Sequence, residues 1–207
     1  MTTSLELGPP VQDAAAVVIL AHGRGGSPED MAELARRLDR PDIHFSLLRA
    51  PDNSWYPNRF MAPLADNEPF LTRALSQYAA AIDSALAGGA RASRIVLGGF
   101  SQGACLTAGL LWHRPAAYGA AMLFTGGMIG PPGTHWPLQP KLRNMPVLLT
   151  CGDQDDWIPL PRVEETDMVL SACGARVAKH IYRGRPHLIC DDEIALAQGL
   201  LDAVAAA

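Results

Sequence analysis

The chain lacks the sequence features of membrane-spanning, nucleic-acid-binding and secreted proteins. Its longest apolar runs, such as residues 14–21, are much shorter than the roughly 20 residues of a membrane-spanning helix. No run of Lys or Arg occurs and the net charge is -4, which argues against a surface for nucleic acid. Because Met1–Glu6 has no basic stretch followed by an apolar one, we expect no signal peptide and a cytoplasmic location.

Cysteine is scarce. The chain has 4 cysteines, widely separated and without a Cys-x-x-Cys pair: Cys105, Cys151, Cys173 and Cys190. In a reducing compartment such residues are typically free thiols that pack as small hydrophobic groups. We therefore expect neither a disulfide framework nor a cysteine-bound metal.

Two nucleotide-binding motifs are also missing. After Gly23 and Gly25, the dinucleotide fingerprint requires a glycine at the position that Pro28 occupies here. A phosphate-binding loop requires Gly-Lys followed by Ser or Thr, and that sequence does not occur. Both classes of nucleotide-binding protein are therefore excluded.

The composition is that of a single globular domain. The chain has 207 residues, of which 48% are hydrophobic and 18% charged, and this supplies enough apolar surface for a sizeable core. No linker-like segment divides it, so we expect one domain over residues 1–207. The sequence leaves a homodimer open.

Short aliphatic runs alternate with longer helical patterns, which is typical of a parallel sheet with crossover helices. Strands are predicted at residues 16–21, 43–48, 94–98, 120–124, 146–151 and 175–182. Helices are predicted at residues 28–38, 70–87, 102–113, 161–173 and 191–205. Residues 1–11 contain one edge strand or nothing regular. We predict an α/β fold with a mostly parallel sheet of about six to seven strands and helices on both faces.

The segment Gly99–Gly103, Gly-Phe-Ser-Gln-Gly, follows a predicted strand and precedes a predicted helix. Such an abrupt turn strains the backbone of its central residue, and the flanking glycines leave room where a Cβ atom would clash. The hydroxyl of Ser101 then projects beside a helix N-terminus, which favours developing negative charge. Ser101 is the candidate nucleophile, and the alternative is a serine that only caps the helix.

A nucleophilic serine requires a base and an acid that orients the base. The loop after the strand at 146–151 offers three acids, of which we choose Asp155 because a turn at Gly152 would bring it back over the sheet. Asp153 and Asp156 are the alternatives, as solvated loop residues.

His187 follows the last predicted strand, and it gives the chain order Ser, Asp, His that such folds use. The other histidines fit less well. His44 and His180 lie in predicted strands, and His113 lies too far along its helix. His135, in the loop at 125–145, is a weaker competitor.

The glycine-rich segment His22–Gly26 follows the first predicted strand. A turn there exposes backbone N–H groups toward the nucleophile, as an oxyanion hole requires. The N–H groups of Arg24 and Gln102 are the expected donors. We interpret His22 as a structural residue that holds this loop.

These motifs together resemble the phospholipase/carboxylesterase family of α/β-hydrolases, which includes acyl-protein thioesterases and small bacterial carboxylesterases. The resemblance extends from about Val17 to the C-terminus. It is based on His22-Gly-Arg-Gly, Trp55-Tyr-Pro, Gly99-Phe-Ser-Gln-Gly-Ala, Asp155-x-x-Ile-Pro and His187.

The resemblance implies a cofactor-free serine hydrolase with Ser101, Asp155 and His187 as the triad, and with the N–H groups of Arg24 and Gln102 as oxyanion donors. The chain has no room for a large cap domain. We therefore expect an accessible site for carboxylic esters of small or flexible acyl groups. The alternatives are a thioesterase, a lysophospholipase, or a catalytically silent fold that binds a ligand or partner.

Large apolar side chains follow several predicted strands and are candidates for an acyl pocket at the same face: Trp55, Tyr56, Phe60, Met128 and Trp157. Packing of loops onto the sheet is the alternative for several of them. A positive charge at Arg24 or Arg185 would favour an anionic group on the substrate.

Overall fold

The computed structural model describes residues 4–207. Its strands, numbered along the chain, are β1 (Ser4–Leu7), β2 (Val17–Ala21), β3 (His44–Leu48), β4 (Ile95–Phe100), β5 (Ala120–Phe124), β6 (Pro146–Gly152) and β7 (Arg176–Tyr182). Its α-helices are α1 (Pro28–Leu38), α2 (Phe70–Ala87), α3 (Gln102–His113), α4 (Leu160–Ala172) and α5 (Asp191–Ala205). Among these residues, no helix combines the length and apolar character needed to cross a membrane.

The strands form one sheet in the order β1-β3-β2-β4-β5-β6-β7. β1 runs antiparallel to β3, and every other neighbouring pair is parallel. The α/β prediction is confirmed. In open sheets of this kind, ligands bind at the carboxyl ends of the strands, and β4 lies at the centre of that edge.

Helices cover both faces of the sheet. Residues of α1 and α5 pack on one face, while residues of α2, α3 and α4 pack on the other. In β2, Val18 and Leu20 point to the first layer, and Val17 and Ile19 point to the second. Because both of its faces are covered, β2 is apolar without alternation, as its sequence indicates.

Helix α1 begins as the sequence predicts. The Ser27 side chain accepts a hydrogen bond from the Asp30 N–H, and the Asp30 carboxylate accepts one from the Ser27 N–H, which forms a capping box around Pro28. This box fixes where the chain leaves the glycine-rich turn after β2. The start of the helix therefore helps to set the path of the turn.

Several bounds differ from the sequence predictions at the active edge. β4 continues to Phe100, two residues beyond its predicted end, because its backbone stays paired with β5 as far as Phe124. β6 continues through Gly152 for the same reason, paired with Tyr182 of β7. The predicted edge strand near the N-terminus is present as β1, and residues 1–3 lie outside the described part of the chain.

Candidate active site

Ser101 lies in the abrupt turn between β4 and α3. Its backbone has φ 55° and ψ -118°, a conformation that non-glycine residues rarely adopt. The turn can pack against β2 because position 103 is glycine, where a Cβ atom would lie 1.9 Å from the Ala21 carbonyl oxygen. Strain of this kind costs about 1–3 kcal/mol and is typical of functional sites.

His187 bridges Ser101 and Asp155. Its Nε2 lies 2.7 Å from Ser101 Oγ, and its Nδ1 lies 2.7 Å from Asp155 Oδ2. The matching tautomer carries the proton on Nδ1, which donates to the carboxylate, while Nε2 accepts from the serine hydroxyl. The structure thus brings together the three residues that the sequence singles out.

The carboxylate of Asp155 is rigidly held. Its side chain is fully buried, and Oδ1 accepts hydrogen bonds from the N–H groups of Trp157 and Ile158, each at 2.8 Å. The competing acids have other surroundings, since Asp153 accepts from the Gly184 N–H at 2.6 Å and Asp156 is exposed. Of the three, Asp155 alone contacts the imidazole.

The loops that carry Asp155 and His187 are packed against each other. A Cβ atom on Gly152 would lie 1.9 Å from the Arg185 carbonyl oxygen, so only glycine fits there. That same oxygen accepts a hydrogen bond from the Gln154 N–H at 3.2 Å. The close approach keeps the loop of His187 in register with the loop of Asp155.

Beneath the His187 loop lies a buried ion pair that sequence reasoning missed. Arg185 Nη1 donates to Glu193 Oε2 at 2.8 Å, and these side chains are 7% and 0% exposed. The same carboxylate accepts from the Cys190 N–H at 2.7 Å and from the Thr150 hydroxyl. The pair therefore ties the loop to α5 and β6. Nothing in the sequence marks Glu193, which looks like one of several acids opening a helix.

The glycine-rich loop after β2 lies against Ser101. A Cβ atom on Gly23 would lie 3.3 Å from Ser101 Cβ. Buried His22 holds this loop, because its Nε2 accepts from the Ala50 N–H at 3.2 Å and its Nδ1–H donates to the Gly23 carbonyl at 2.7 Å. Burial lowers the pKa of His22, which favours this neutral form.

Arg24 and Gln102, whose N–H groups are the expected oxyanion donors, also contact a neighbouring segment through their side chains. The Gln102 N–H stands at the first turn of α3, where helical N–H groups have no intrahelical acceptor. The Gln102 amide group donates to the Tyr56 carbonyl at 2.8 Å and accepts from the Trp55 N–H at 3.1 Å. The Arg24 guanidinium donates to the Pro57 carbonyl at 2.8 Å. Both side chains thus anchor the segment at 54–58 beside the turn of Ser101.

A cavity of about 300 Å³ opens at Ser101 and His187. Its apolar walls come from Tyr56, Phe60, Phe100, Cys105, Trp157 and Ile158. Tyr56, Phe60 and Trp157 are residues that the sequence suggests for a pocket. Cys105 follows Ser101 by one turn of α3 and was missed, because nothing in the sequence shows which face of this largely buried helix meets the cavity.

Two expected pocket residues lie elsewhere. The Trp55 side chain is 2% exposed and turns into the core, where its Nε1–H donates to the His22 carbonyl at 2.8 Å. Met128 is 1% exposed and packs in the core below α4. The expectation for Arg185 also needs correction, because its guanidinium faces Glu193 and does not line the cavity.

Known proteins are similar to this chain in sequence and in fold. Residues 3–205 match the family described as Phospholipase/Carboxylesterase. The crystal structure of a phospholipase/carboxylesterase from Dyadobacter fermentans is 35% identical, with a TM-score of 0.91 over 97% of this chain and 96% of that chain. Esterase PE8 is 25% identical, with a TM-score of 0.80 over 98% of each chain. A Bacillus cereus carboxylesterase at 23% identity has the same fold, with a TM-score of 0.77 over 97% of this chain and 93% of that chain.

A match over nearly the whole length, together with a relative of this similarity, identifies the family. The chain belongs to the phospholipase/carboxylesterase family and is a hydrolase of the esterase type.

Proposed function

We propose that the protein hydrolyses carboxylic esters through an acyl-enzyme on Ser101, with His187 as general base and acid and Asp155 as the group that orients it. The supporting observation is the unbroken chain of 2.7 Å contacts from Ser101 Oγ through the imidazole to Asp155. Family membership supports the same reaction class.

In the first half-reaction Ser101 Oγ attacks the ester carbonyl carbon while its proton passes to His187 Nε2. Asp155 stabilises the resulting imidazolium, and the N–H groups of Arg24 and Gln102 donate to the oxyanion. The C–O bond to the alcohol then breaks, and the alcohol leaves with the proton from Nε2. Ser101 is left acylated.

In the second half-reaction water attacks the acyl carbon, and His187 Nε2 accepts its proton. When the tetrahedral intermediate collapses, the serine oxygen leaves and takes that proton back. Every bond that forms or breaks lies in the ester, in water or in Ser101. The reaction therefore requires no cofactor.

The cavity supports small or flexible acyl groups as substrates. Its volume of about 300 Å³ lies at the lower end of the range for small-molecule sites. Apolar side chains such as Phe60 and Ile158 would contact an aliphatic acyl chain.

The substitution Ser101→Ala tests the proposal. We expect kcat for p-nitrophenyl butyrate to fall by about 10⁴–10⁶-fold, because the nucleophile is lost while binding remains. A fluorophosphonate probe should label the wild-type protein and leave the variant unlabelled. The variant should remain folded by circular dichroism.

Ser84→Ala is the matched control, because Ser84 is exposed on α2, away from the cavity. That variant should hydrolyse the ester and react with the probe at the wild-type rate. Wild-type hydrolysis by Ser101→Ala would refute the assignment.

A further inference from the structure

The cavity at Ser101 has a positive lining although the protein as a whole is acidic. The chain has 17 basic and 21 acidic residues. Of the described residues that line the cavity, two are arginines, Arg24 and Arg59, and none is Asp or Glu. Asp155 lies behind the imidazole, with its side chain fully buried. A substrate that enters therefore meets two arginine residues and no Asp or Glu among the described lining residues.

Among the described residues, the Arg59 guanidinium contacts an aromatic ring but no hydrogen-bond acceptor. The guanidinium stacks over the Trp157 ring, with 5.2 Å from Cζ to the ring centroid. Within the described part of the chain, this guanidinium forms no ion pair and donates no hydrogen bond. Trp157 lies two residues after Asp155 and lines the cavity. The stacking therefore holds the Arg59 charge at the cavity.

The charge of Arg24 is also uncompensated. Its guanidinium donates to Ser54 Oγ at 3.1 Å, to the Pro57 carbonyl at 2.8 Å and to the Asn58 carbonyl. All three acceptors are neutral. Arg24 Cζ lies 5.9 Å from the Tyr56 ring centroid, inside the same cavity wall.

A third donor in the wall lacks an acceptor. The Tyr56 hydroxyl is buried, lies near the Cys105 thiol and has no hydrogen-bond partner among the described residues. Burial raises the pKa of Tyr56 well above its ordinary value, so the hydroxyl stays protonated and able to donate. Buried polar groups normally have a hydrogen-bond partner, so an unpaired hydroxyl group in the cavity wall is unusual.

We propose that the natural substrate carries an anionic, oxygen-rich group in addition to the ester, and that Arg59 is the residue that selects for it. This inference depends on the proposed esterase function and adds the chemical class of the substrate. A carboxylate can accept two parallel hydrogen bonds from a guanidinium, which makes it the simplest such group.

Matched ester pairs test this proposal on both sides of the scissile bond. Monoethyl succinate carries a carboxylate on the acyl side, and ethyl levulinate is its neutral analogue. O-butyryl glycolate carries a carboxylate on the alcohol side, and acetol butyrate is its neutral analogue. We expect kcat/KM to favour the anionic ester about tenfold in one pair, as a charge-assisted hydrogen bond at a partly solvated site would give.

Arg59→Gln should lower that ratio to near one, chiefly through the anionic ester, and Arg59→Lys should restore part of it. Arg73→Gln is the matched control, because Arg73 is likewise exposed and stacks on Phe70 at 6.0 Å, yet it lines a different cavity. Its ratio should equal that of the wild-type protein. About 0.5 M NaCl should also reduce the wild-type ratio by screening the charge.

A wild-type ratio near one in both pairs, or equal losses for both esters in Arg59→Gln, would overturn the inference. If the neutral esters are still hydrolysed and Ser101→Ala abolishes that hydrolysis, the esterase proposal survives this failure. If the wild-type protein hydrolyses none of the four esters, both proposals fail.

Discussion

Two buried tyrosines differ in what their hydroxyl groups contact. The Tyr78 hydroxyl accepts from the Gly98 N–H at 2.9 Å and lies 2.9 Å and 3.0 Å from the carbonyl oxygens of Ile19 and Gly98. It therefore links β2 to β4 directly below Ser101. The Tyr56 hydroxyl is similarly buried but has no hydrogen-bond partner within residues 4–207.

This contrast predicts opposite effects of the same chemical change. Tyr78→Phe leaves buried backbone groups unpaired and should lower the free energy of unfolding by about 1–3 kcal/mol. Tyr56→Phe removes a hydroxyl that has no hydrogen-bond partner among the described residues, so the free energy of unfolding should stay unchanged or rise slightly. Urea denaturation of both variants measures the difference. Equal losses would mean that the Tyr56 hydroxyl has a structural partner after all.

The residues at the turn and loops of the site were predictable to different degrees. Ser101, Asp155 and His187 could be picked out because each follows a segment that the sequence shows to be a strand, and their catalytic roles remain a prediction. Arg59 could not, because its position depends on the path of an irregular segment, residues 50–69. The contact between Arg185 and Glu193 also escaped prediction, since the chain between them turns from a strand end into a helix.

At the level of elements, β1 is attached to the sheet partly through an ion pair with its neighbour. His44 Nε2 of β3 lies 3.0 Å from Glu6 Oε2 of β1, and His44 Nδ1 lies 2.8 Å from the Pro9 carbonyl oxygen. The hydrogen bond to Glu6 raises the pKa of His44 above 6.5. Burial alone would raise the pKa of Glu6, but hydrogen bonds with His44, Ser4 and Ser46 lower it below 4.5 overall.

These shifts predict how the pair contributes to stability as the pH changes. A raised His44 pKa stabilises the fold below the unfolded value of 6.5, and this contribution disappears as the pH rises through the higher folded value. A lowered Glu6 pKa stabilises the fold above 4.5 and is lost in acid. The pair should therefore stabilise most between these values. The glutamate is partly exposed, so the effect should be small.

Thermal unfolding of the wild-type protein and of His44→Gln checks this. The wild-type advantage in Tm should be largest near pH 5.5 and shrink toward pH 8, as the charge on His44 is lost. Glu6→Gln should show the same trend, because it removes the other partner. A difference in Tm that is independent of pH would show that the charges contribute nothing.

The ends of some elements could be predicted from the sequence, and the ends of others could not. Helices α2 and α3 end where the sequence predicts, because Gly88 follows the first and Pro115 comes shortly after the second. The ends of β4 and β6 were placed too early, since pairing with neighbouring strands continues through glycines that look like turn residues. Those added residues bring the strands up to Ser101 and to the acid's loop.

For the molecule as a whole, the sheet separates two apolar layers that share its strands. Leu38 of α1 is fully buried in one layer, and Ile82 of α2 is fully buried in the other. Neighbouring residues of each central strand, such as Val18 and Ile19, point into different layers. If the helices of one layer unfold, the strands that also carry the other layer lose the cover of one of their two faces. We therefore propose that the chain is one cooperative domain.

Leu38→Ala and Ile82→Ala test this proposal from the two sides of the sheet. Each should lower the free energy of unfolding by about 2–5 kcal/mol, because each leaves a cavity in a packed layer. If the layers unfold together, ellipticity and ester hydrolysis should be lost at the same urea concentration in both variants, as two-state unfolding requires. Loss of hydrolysis before loss of ellipticity in Ile82→Ala alone would show that the layer holding α3, and with it the turn of Ser101, unfolds independently.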